Sequence, residues 1–335
     1  MEQRTLGRTG LRVSALGFGC GDVGGLIVRG TPAERERAVR RAIDAGVNYF
    51  DTASSYGNGV SEQNLGATLK AVGVCPYVGT KFRVEPAETN LASAIGQSLD
   101  ASLKRLTMDS VDLLQLHNLI VREDGAPAPG RGLTARRVLD EVVPALEGLR
   151  RQGKIRFFGI TALGDTAAVH QVIDAGVLDT AQVCLNLLNP SAAVSVPAGF
   201  PAQDFGRLLD HARRQRMGGI NIRVLAGGAL SGTTQRHAIA MPQVAPIASG
   251  ADYTADVERA RRLQPVVDKG YADDLMEASV RFSLASDAMS TVLVGYSTFE
   301  HVERAIAVVE KGPLPAPALE LLNGLWASLA QDARR

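Results

Sequence analysis

The chain has 335 residues, 45% hydrophobic and 21% charged, which suits one large soluble domain or two small ones. Its 36 basic and 35 acidic residues leave a net charge of +1 with no long run of one sign, which speaks against the basic stripe of a nucleic-acid-binding protein. No apolar run is long enough to span a bilayer, and the opening MEQRTLGRTG lacks the apolar core of a secretory signal.

Three separated cysteines, Cys20, Cys75 and Cys184, fit neither a disulfide framework nor metal-ligand spacing. They are expected as small buried hydrophobes in a reduced, cytoplasmic protein without metal, membrane or nucleic-acid partners.

The first strand is expected near residues 15–20. TPAERERAVRRAIDAG follows as a helix, with Thr31 as N-cap, Pro32 in the first helical position and Glu34 completing a capping box. Gly46 is expected at its left-handed end. A strand near 48–53 comes next, and SEQNLG opens the following helix. Further strands are expected near 77–82, 111–117, 155–161, 180–187, 219–224 and 291–296. RRVLDEVVPALEGLRRQGK leads into IRFFGIT, DTAAVHQVIDAG into VLDTAQVCLNLL, and DFGRLLDHARRQRMGG into INIRVLAGG. Each is a helix, a glycine-containing turn and a mostly apolar strand.

Strands alternating with helices imply βαβ units and a parallel sheet buried on both faces. Eight units without a break fit a closed eight-stranded parallel βα (TIM) barrel, read as a single domain over 1–335. A doubly wound open sheet would need a Gly-rich fingerprint after the first strand, and LGFGCGDVGG has the wrong spacing for it. Two stretches stand outside the repeat: Asn118–Gly132 and Thr233–Gly250. Both follow strand C-termini, so each is either a substrate-facing loop or a variable surface loop.

Asp51, Lys81 and His117 lie at or near the C-terminal ends of strands two, three and four, and Tyr56 sits on the loop behind Asp51. In a parallel barrel these ends converge on one mouth. A buried lysine needs a partner, and Asp51 supplies one. A nearby ammonium favours the phenolate form of a tyrosine, which would tune Tyr56 as a general acid and base. A neutral His117 would orient a carbonyl oxygen. Such a set suits carbonyl reduction, with hydride reaching carbon and Tyr56 protonating the oxygen. A Schiff-base nucleophile at Lys81 is a competing reading of the same residues.

GVNYFDTASSYGNGVSEQNLG, VGTKF and LLQLH, in this order and spacing, resemble the aldo-keto reductases, and RTLGRTGLRVSALGFGCG is similar to that family's opening hairpin and first strand. The resemblance implies a barrel with an N-terminal β-hairpin and an extra C-terminal helix. It also implies a catalytic tetrad of Asp51, Tyr56, Lys81 and His117, and a nicotinamide cofactor, NAD(H) or NADP(H), lying across the strand C-termini. The substrate would be a small aldehyde, ketone, sugar or alcohol. The family also contains non-catalytic nicotinamide-binding barrels that act as redox sensors for a partner protein, which is the alternative function.

Cofactor contacts follow from residues and resemblance together. The glycines of VLAGGALSG, Gly227 and Gly228 among them, let backbone N–H groups approach a pyrophosphate. Gly295 ends strand eight, and Ser297 with Glu300 reads as a capping box at a helix N-terminus, an anion site by dipole. The resemblance assigns Gly295, Ser297 and Thr298 to the adenosine end and adds Gly21, Asp22 and Leu225. Relatives carry Arg or Lys where Ser297 stands, which tilts the expectation towards NAD(H), with His301 or Arg304 as compensating cations. Thr161 and Ala162 replace the usual Ser-Asn pair at the carboxamide, whereas Gln182 and Asn186 keep the family pattern. Ile222 or Arg223 occupies the position of the usual nicotinamide-stacking aromatic, and a guanidinium plane can stack in its place.

Overall fold

Near-continuous apolar runs that must be buried on both faces end up as parallel strands under a ring of helices. The computed structural model describes residues 1–123 and 132–333. Its barrel strands are β1 (Leu16–Gly19), β2 (Tyr49–Asp51), β3 (Tyr77–Phe82), β4 (Val111–Leu116), β5 (Ile155–Thr161), β6 (Thr180–Cys184), β7 (Gly218–Ile222) and β8 (Met289–Gly295). They pair in sequence order, all parallel, and β8 closes on β1 with Val292 opposite Leu16 and Gly295 opposite Gly19. The register slips once, between Gly219 and Ile220 where β7 meets β8.

The helical segments behave as their caps dictate. Thr31 Oγ1 accepts from Glu34 N–H and the Glu34 carboxylate accepts from Thr31 N–H, so the capping box opens Pro32–Asp44, and Gly46 takes φ +88° behind it. Asp165 caps Thr166–Asp174 by accepting from Ala168 N–H at 3.0 Å. The helix before β5 is not uniform. A wide π turn over Val138–Val142 precedes Pro144, which has no N–H to give to the ladder.

Several boundaries differ from the sequence expectation. β6 stops at Cys184 because Asn186 Oδ1 accepts from Leu188 and Asn189 N–H, turning the apolar LNLL out of the strand. β7 stops at Ile222 because Arg223 adopts φ +57°. The helix expected from DFGRLLDHARRQRMGG is only Leu208–Arg214, since Arg207 before it is also left-handed, at φ +57°. The cap of the last barrel helix, Phe299–Glu310, is Thr298 and not Ser297: Thr298 Oγ1 accepts from His301 N–H at 3.3 Å. Cys20 and Cys184 are buried as expected, but Cys75 is exposed.

Two elements close the barrel ends. The antiparallel hairpin Gln3–Thr5 and Arg12–Ser14 plugs the N-terminal end, where Leu6, Leu11 and Val13 join Tyr49, Leu113, Ile220 and Leu293 in one interior cluster. A C-terminal helix, Ala316–Asp332, packs outside; Trp326 touches Phe282 and donates from Nε1 to Leu187 O at 2.9 Å. Of the first long loop, Leu119–Val121 and Gly132–Thr134 pair as a short parallel ladder, a regularity the Pro/Gly-rich composition did not announce. Residues 124–131 of that loop lie outside the described residues. The second, Thr233–Gly250, contains no helix or strand and reaches the β1 loop, with Met241 N–H donating to Val23 O at 3.2 Å. No helix among the described residues is long and apolar enough to cross a membrane.

Candidate active site

Side chains alternate along a strand, so Tyr49 and Asp51 of β2 share the barrel-interior face. Asp51 opposes Gly79 of β3, and Lys81 follows two residues on, on the same face. The two charges therefore meet although 30 residues separate them. Their side chains are 4% and 1% exposed, and Lys81 Nζ donates to Asp51 Oδ1. The ammonium also donates to Thr52 O at 2.7 Å and to the Tyr56 hydroxyl at 3.2 Å, which spends all three of its protons. The far carboxylate oxygen, Asp51 Oδ2, accepts from Gln182 Nε2 at 2.6 Å and from the Tyr49 hydroxyl at 3.2 Å. A buried ion pair persists only when its remaining lone pairs are met this way.

Tyr56 stands on a tight turn built for it. Gly57, Asn58 and Gly59 all have positive φ (57°, 54° and 89°). Asp22 Oδ2 accepts from Gly57 N–H at 2.7 Å, and Asp22 is itself paired with Arg29 at 3.1 Å. Gly21 backs the phenol ring. His117, whose backbone N–H donates to Phe82 O at 2.9 Å, presents its ring edge-on to Tyr56, with centroids 6.0 Å apart and planes at 88°.

Electrostatics assign the protonation states. Burial, then the Lys81 and Arg83 charges, push His117 well below the usual imidazole range, so it is neutral near pH 7. Burial works against the Lys81 ammonium, but Asp51 and then Tyr56 carry it above its ordinary value. Burial pushes Asp51 up, while Lys81 and the hydrogen bonds from Lys81, Tyr49 and Gln182 pull it back. At this end of the barrel an ammonium, a phenol and a neutral imidazole lie in one cluster.

The remaining sequence candidates fall into three groups. Gln182 and Thr161 sit beside the ion pair, Thr161 Oγ1 donating to Gln182 Oε1 at 3.4 Å. Asn186 is taken up by its own turn and by Arg223 O, to which its amide donates at 2.9 Å. Arg223, Leu225, Gly227 and Gly228 form the turn after β7; a Cβ on Gly227 would meet Arg223 Nη1 at 2.9 Å, and one on Gly228 would meet Arg236 Nη1 at 3.0 Å. Two guanidiniums thus flank a positive-φ glycine turn, and their charge suits an anionic pyrophosphate, although Arg236 directs its N–H groups to protein acceptors. Beside β8, Ser297 is 7% exposed; its hydroxyl donates to Gly24 O at 2.7 Å and its N–H to His301 Nδ1 at 3.3 Å. Arg304 is paired with Asp274.

Two contributors, and the role of a third, were missed by sequence reasoning. Tyr49 could have been found from its spacing of two from Asp51, which puts both on one face. Asp22 as the holder of the Tyr56 turn left no signal. Nor did Arg236, which donates to Gly227 O (2.8 Å), Met241 O (2.6 Å), Val23 O (3.2 Å) and the Tyr253 hydroxyl (3.0 Å), tying the second long loop to the mouth.

The chain also resembles known proteins in sequence and fold. The profile of the Aldo/keto reductase family matches residues 15–327. L-galactose dehydrogenase of Arabidopsis thaliana is 31% identical over 315 residues, covering 92% of this chain and 88% of that protein. Pyridoxal 4-dehydrogenase of Microbacterium luteolum is 27% identical over 347 residues, covering 92% and 93%. Among solved structures, an aldo-keto reductase of Bacillus halodurans in its holo form superposes with a TM-score of 0.69 at 23% identity, covering 99% of this chain and 96% of that one.

Proposed function

Since the chain belongs to the aldo-keto reductase family, and that membership together with its dehydrogenase relatives supports nicotinamide-dependent oxidoreduction of carbonyl compounds, we propose that it is an aldose or aldehyde dehydrogenase in which Tyr56 moves the proton. The observation that carries this reading is the Lys81 ammonium, buried, paired with Asp51 and donating to the Tyr56 hydroxyl.

With the Lys81 ammonium donating to its oxygen, Tyr56 is suited to take the proton of the hemiacetal or hydrate hydroxyl as hydride leaves the same carbon in oxidation, and to return it in reduction. Asp51 keeps Lys81 charged. Neutral His117 retains an N–H with which to orient the substrate oxygen. The nicotinamide, when bound, accepts or supplies the hydride. Gln182 and Thr161 are suited to its carboxamide, Arg223 to its ring, and Gly227, Gly228 and Leu225 to its pyrophosphate. Gly295, Ser297, Thr298 and His301 are suited to its adenosine end, and Gly21 and Asp22 line the approach beside Tyr56.

Two observations refine the proposal. No basic side chain stands at 297, and Arg304 is engaged with Asp274, which supports NAD(H) over NADP(H). The full-length relatives are named as dehydrogenases of L-galactose and of pyridoxal, an aldose and an aromatic aldehyde, which supports that substrate class. A Schiff base at Lys81 needs a neutral amine, and the ion pair opposes it.

The test is NAD+ and NADP+ reduction with a panel of aldoses and aldehydes, L-galactose first, for wild type and Tyr56→Phe. Wild type is expected to turn over with NAD+ preferred. The variant is expected to bind cofactor normally and lose about 10²–10⁴ in kcat. Full activity of Tyr56→Phe would remove Tyr56 from the mechanism.

A further inference from the structure

Tyr49 is fully buried inside the barrel, one layer below the mouth. A buried phenol needs a partner for its hydroxyl. Tyr49 finds it on Asp51 Oδ2, at 3.2 Å, the carboxylate oxygen that Lys81 does not use.

The barrel interior makes room for this contact. Gly79, the register partner of Asp51 on β3, lies against the phenol: a Cβ there would meet the Tyr49 hydroxyl oxygen at 2.4 Å and Cζ at 3.2 Å. On the other side, a Cβ on Gly17 of β1 would meet Tyr49 Cδ1 at 3.4 Å. The ring therefore fits a slot between two glycine-bearing strands, with its hydroxyl end beneath Asp51. Any larger residue at 79 must displace that oxygen.

We propose that Tyr49 is a positioning residue for the catalytic ion pair: its hydroxyl anchors Asp51 Oδ2, turns Oδ1 towards Lys81, and so keeps the ammonium on the Tyr56 oxygen. The inference rests on Tyr56 being the acid and base. Burial, and then the Asp51 charge, hold the Tyr49 phenol far above its ordinary range, so it stays protonated and donates to the carboxylate. The other titratable groups facing the pair do not compete. Lys81 and Tyr56 lie on the mouth side. Cys20, beside Asp51, is a buried thiol pushed upward and neutral. Asp112, the other charge felt by Tyr49, is engaged by Arg156 at 2.6 Å and by Val78 N–H at 2.9 Å.

Removing the hydroxyl takes one donor from a carboxylate whose ionised form is already disfavoured by burial. Asp51 should then protonate at higher pH. One hydrogen bond to a charged group corresponds to a shift of about one pH unit. The direct readout is the carboxyl 13C titration of Asp51 in protein labelled at aspartate, assigned by its loss in Asp51→Asn. The second is the acidic limb of kcat/KM for L-galactose oxidation. In Tyr49→Phe both are expected to move up by about one unit, with KM within about twofold, because Tyr49 lies beneath Asp51, a layer below the mouth. Gly79→Ala should move them the same way, and the double variant no further than either single change. Tyr77→Phe removes another phenol from the same interior and should leave both in place.

A purely structural role for Tyr49 would lower kcat at every pH without moving the titration, and an unmoved Asp51 titration in Tyr49→Phe and Gly79→Ala overturns the inference. The two readings separate cleanly. Tyr56→Phe inactive with an unmoved Asp51 titration rejects the role of Tyr49 alone, whereas an active Tyr56→Phe rejects the acid assignment whatever Tyr49 does.

Discussion

Asp51→Asn keeps the shape of the side chain and removes its charge, leaving Lys81 with neutral acceptors alone: the new amide oxygen, Thr52 O and the Tyr56 hydroxyl. Breaking a buried ion pair from one side costs about 3–5 kcal/mol. Proton bookkeeping reaches a similar figure. A buried unpaired lysine titrates some 3–5 units below its usual value of about 10.4. If it becomes neutral in the folded variant near pH 7, the cost relative to the protonated unfolded chain is about 1.36 kcal/mol for each of roughly 3.4 units, or about 4.6 kcal/mol.

The sign of the pH dependence follows. In wild type the Lys81 pKa is raised, so the amine is protonated in both states from pH 7 to about 9 and contributes little slope there, its stabilisation starting to fall only as the unfolded lysine deprotonates. In the variant the folded state holds one proton fewer over that range, so its stability rises with pH until the unfolded lysine also deprotonates. Urea unfolding at pH 7, 8.5 and 10, followed through the fluorescence of the single tryptophan, Trp326, measures this. The deficit should be about 4–5 kcal/mol at pH 7 and less than about 1 kcal/mol at pH 10. A deficit below about 1 kcal/mol at pH 7, or one constant to pH 10, would refute the claim that Asp51 is what keeps Lys81 charged.

The folded pKa of His117 lies well below its ordinary value, so its contribution to stability is intact above the unfolded pKa and declines as pH falls below it. Wild type should therefore lose up to about 1.4 kcal/mol per pH unit below about 6.5 relative to His117→Gln; parallel stability profiles of the two proteins would contradict this. Thr31→Ala removes the capping box of Pro32–Asp44 and should cost about 1 kcal/mol in urea unfolding while leaving turnover unchanged, since the cap lies on an exposed helix start. Altered kcat with unaltered stability would mean that Thr31 acts at the site instead.

Much of the architecture is legible in the sequence because it rests on local chemistry. Thr31, Pro32 and Glu34 satisfy one another within a single helical turn, and Gly46 takes the left-handed φ that its residue type favours. Eight apolar runs separated by helices leave a parallel sheet as the means of burying both strand faces. The strand ends were less legible. Hydrophobicity runs on through Leu185–Leu188, but the Asn186 side chain captures two backbone N–H groups there and turns the chain.

At the mouth, the sequence by itself determined which residue types were present and that Asp51, Lys81 and His117 lay at successive strand ends, because strand periodicity sets where a polar residue interrupts an apolar run. Only the tertiary structure decided what each one touches. Register brings Asp51 opposite Gly79, and closure brings β6 close enough for Gln182 to reach Asp51. The positive φ values after Tyr56 aim a loop phenol at Lys81, and Asp22 holds that turn from another strand end. These contacts join residues far apart in the chain, and hydrogen bonds and charge pairing depend on distances of a few ångströms that local propensity does not encode. For the same reason Tyr49 looks like one more apolar-strand residue in sequence, and becomes the partner of Asp51 only when the barrel closes around it.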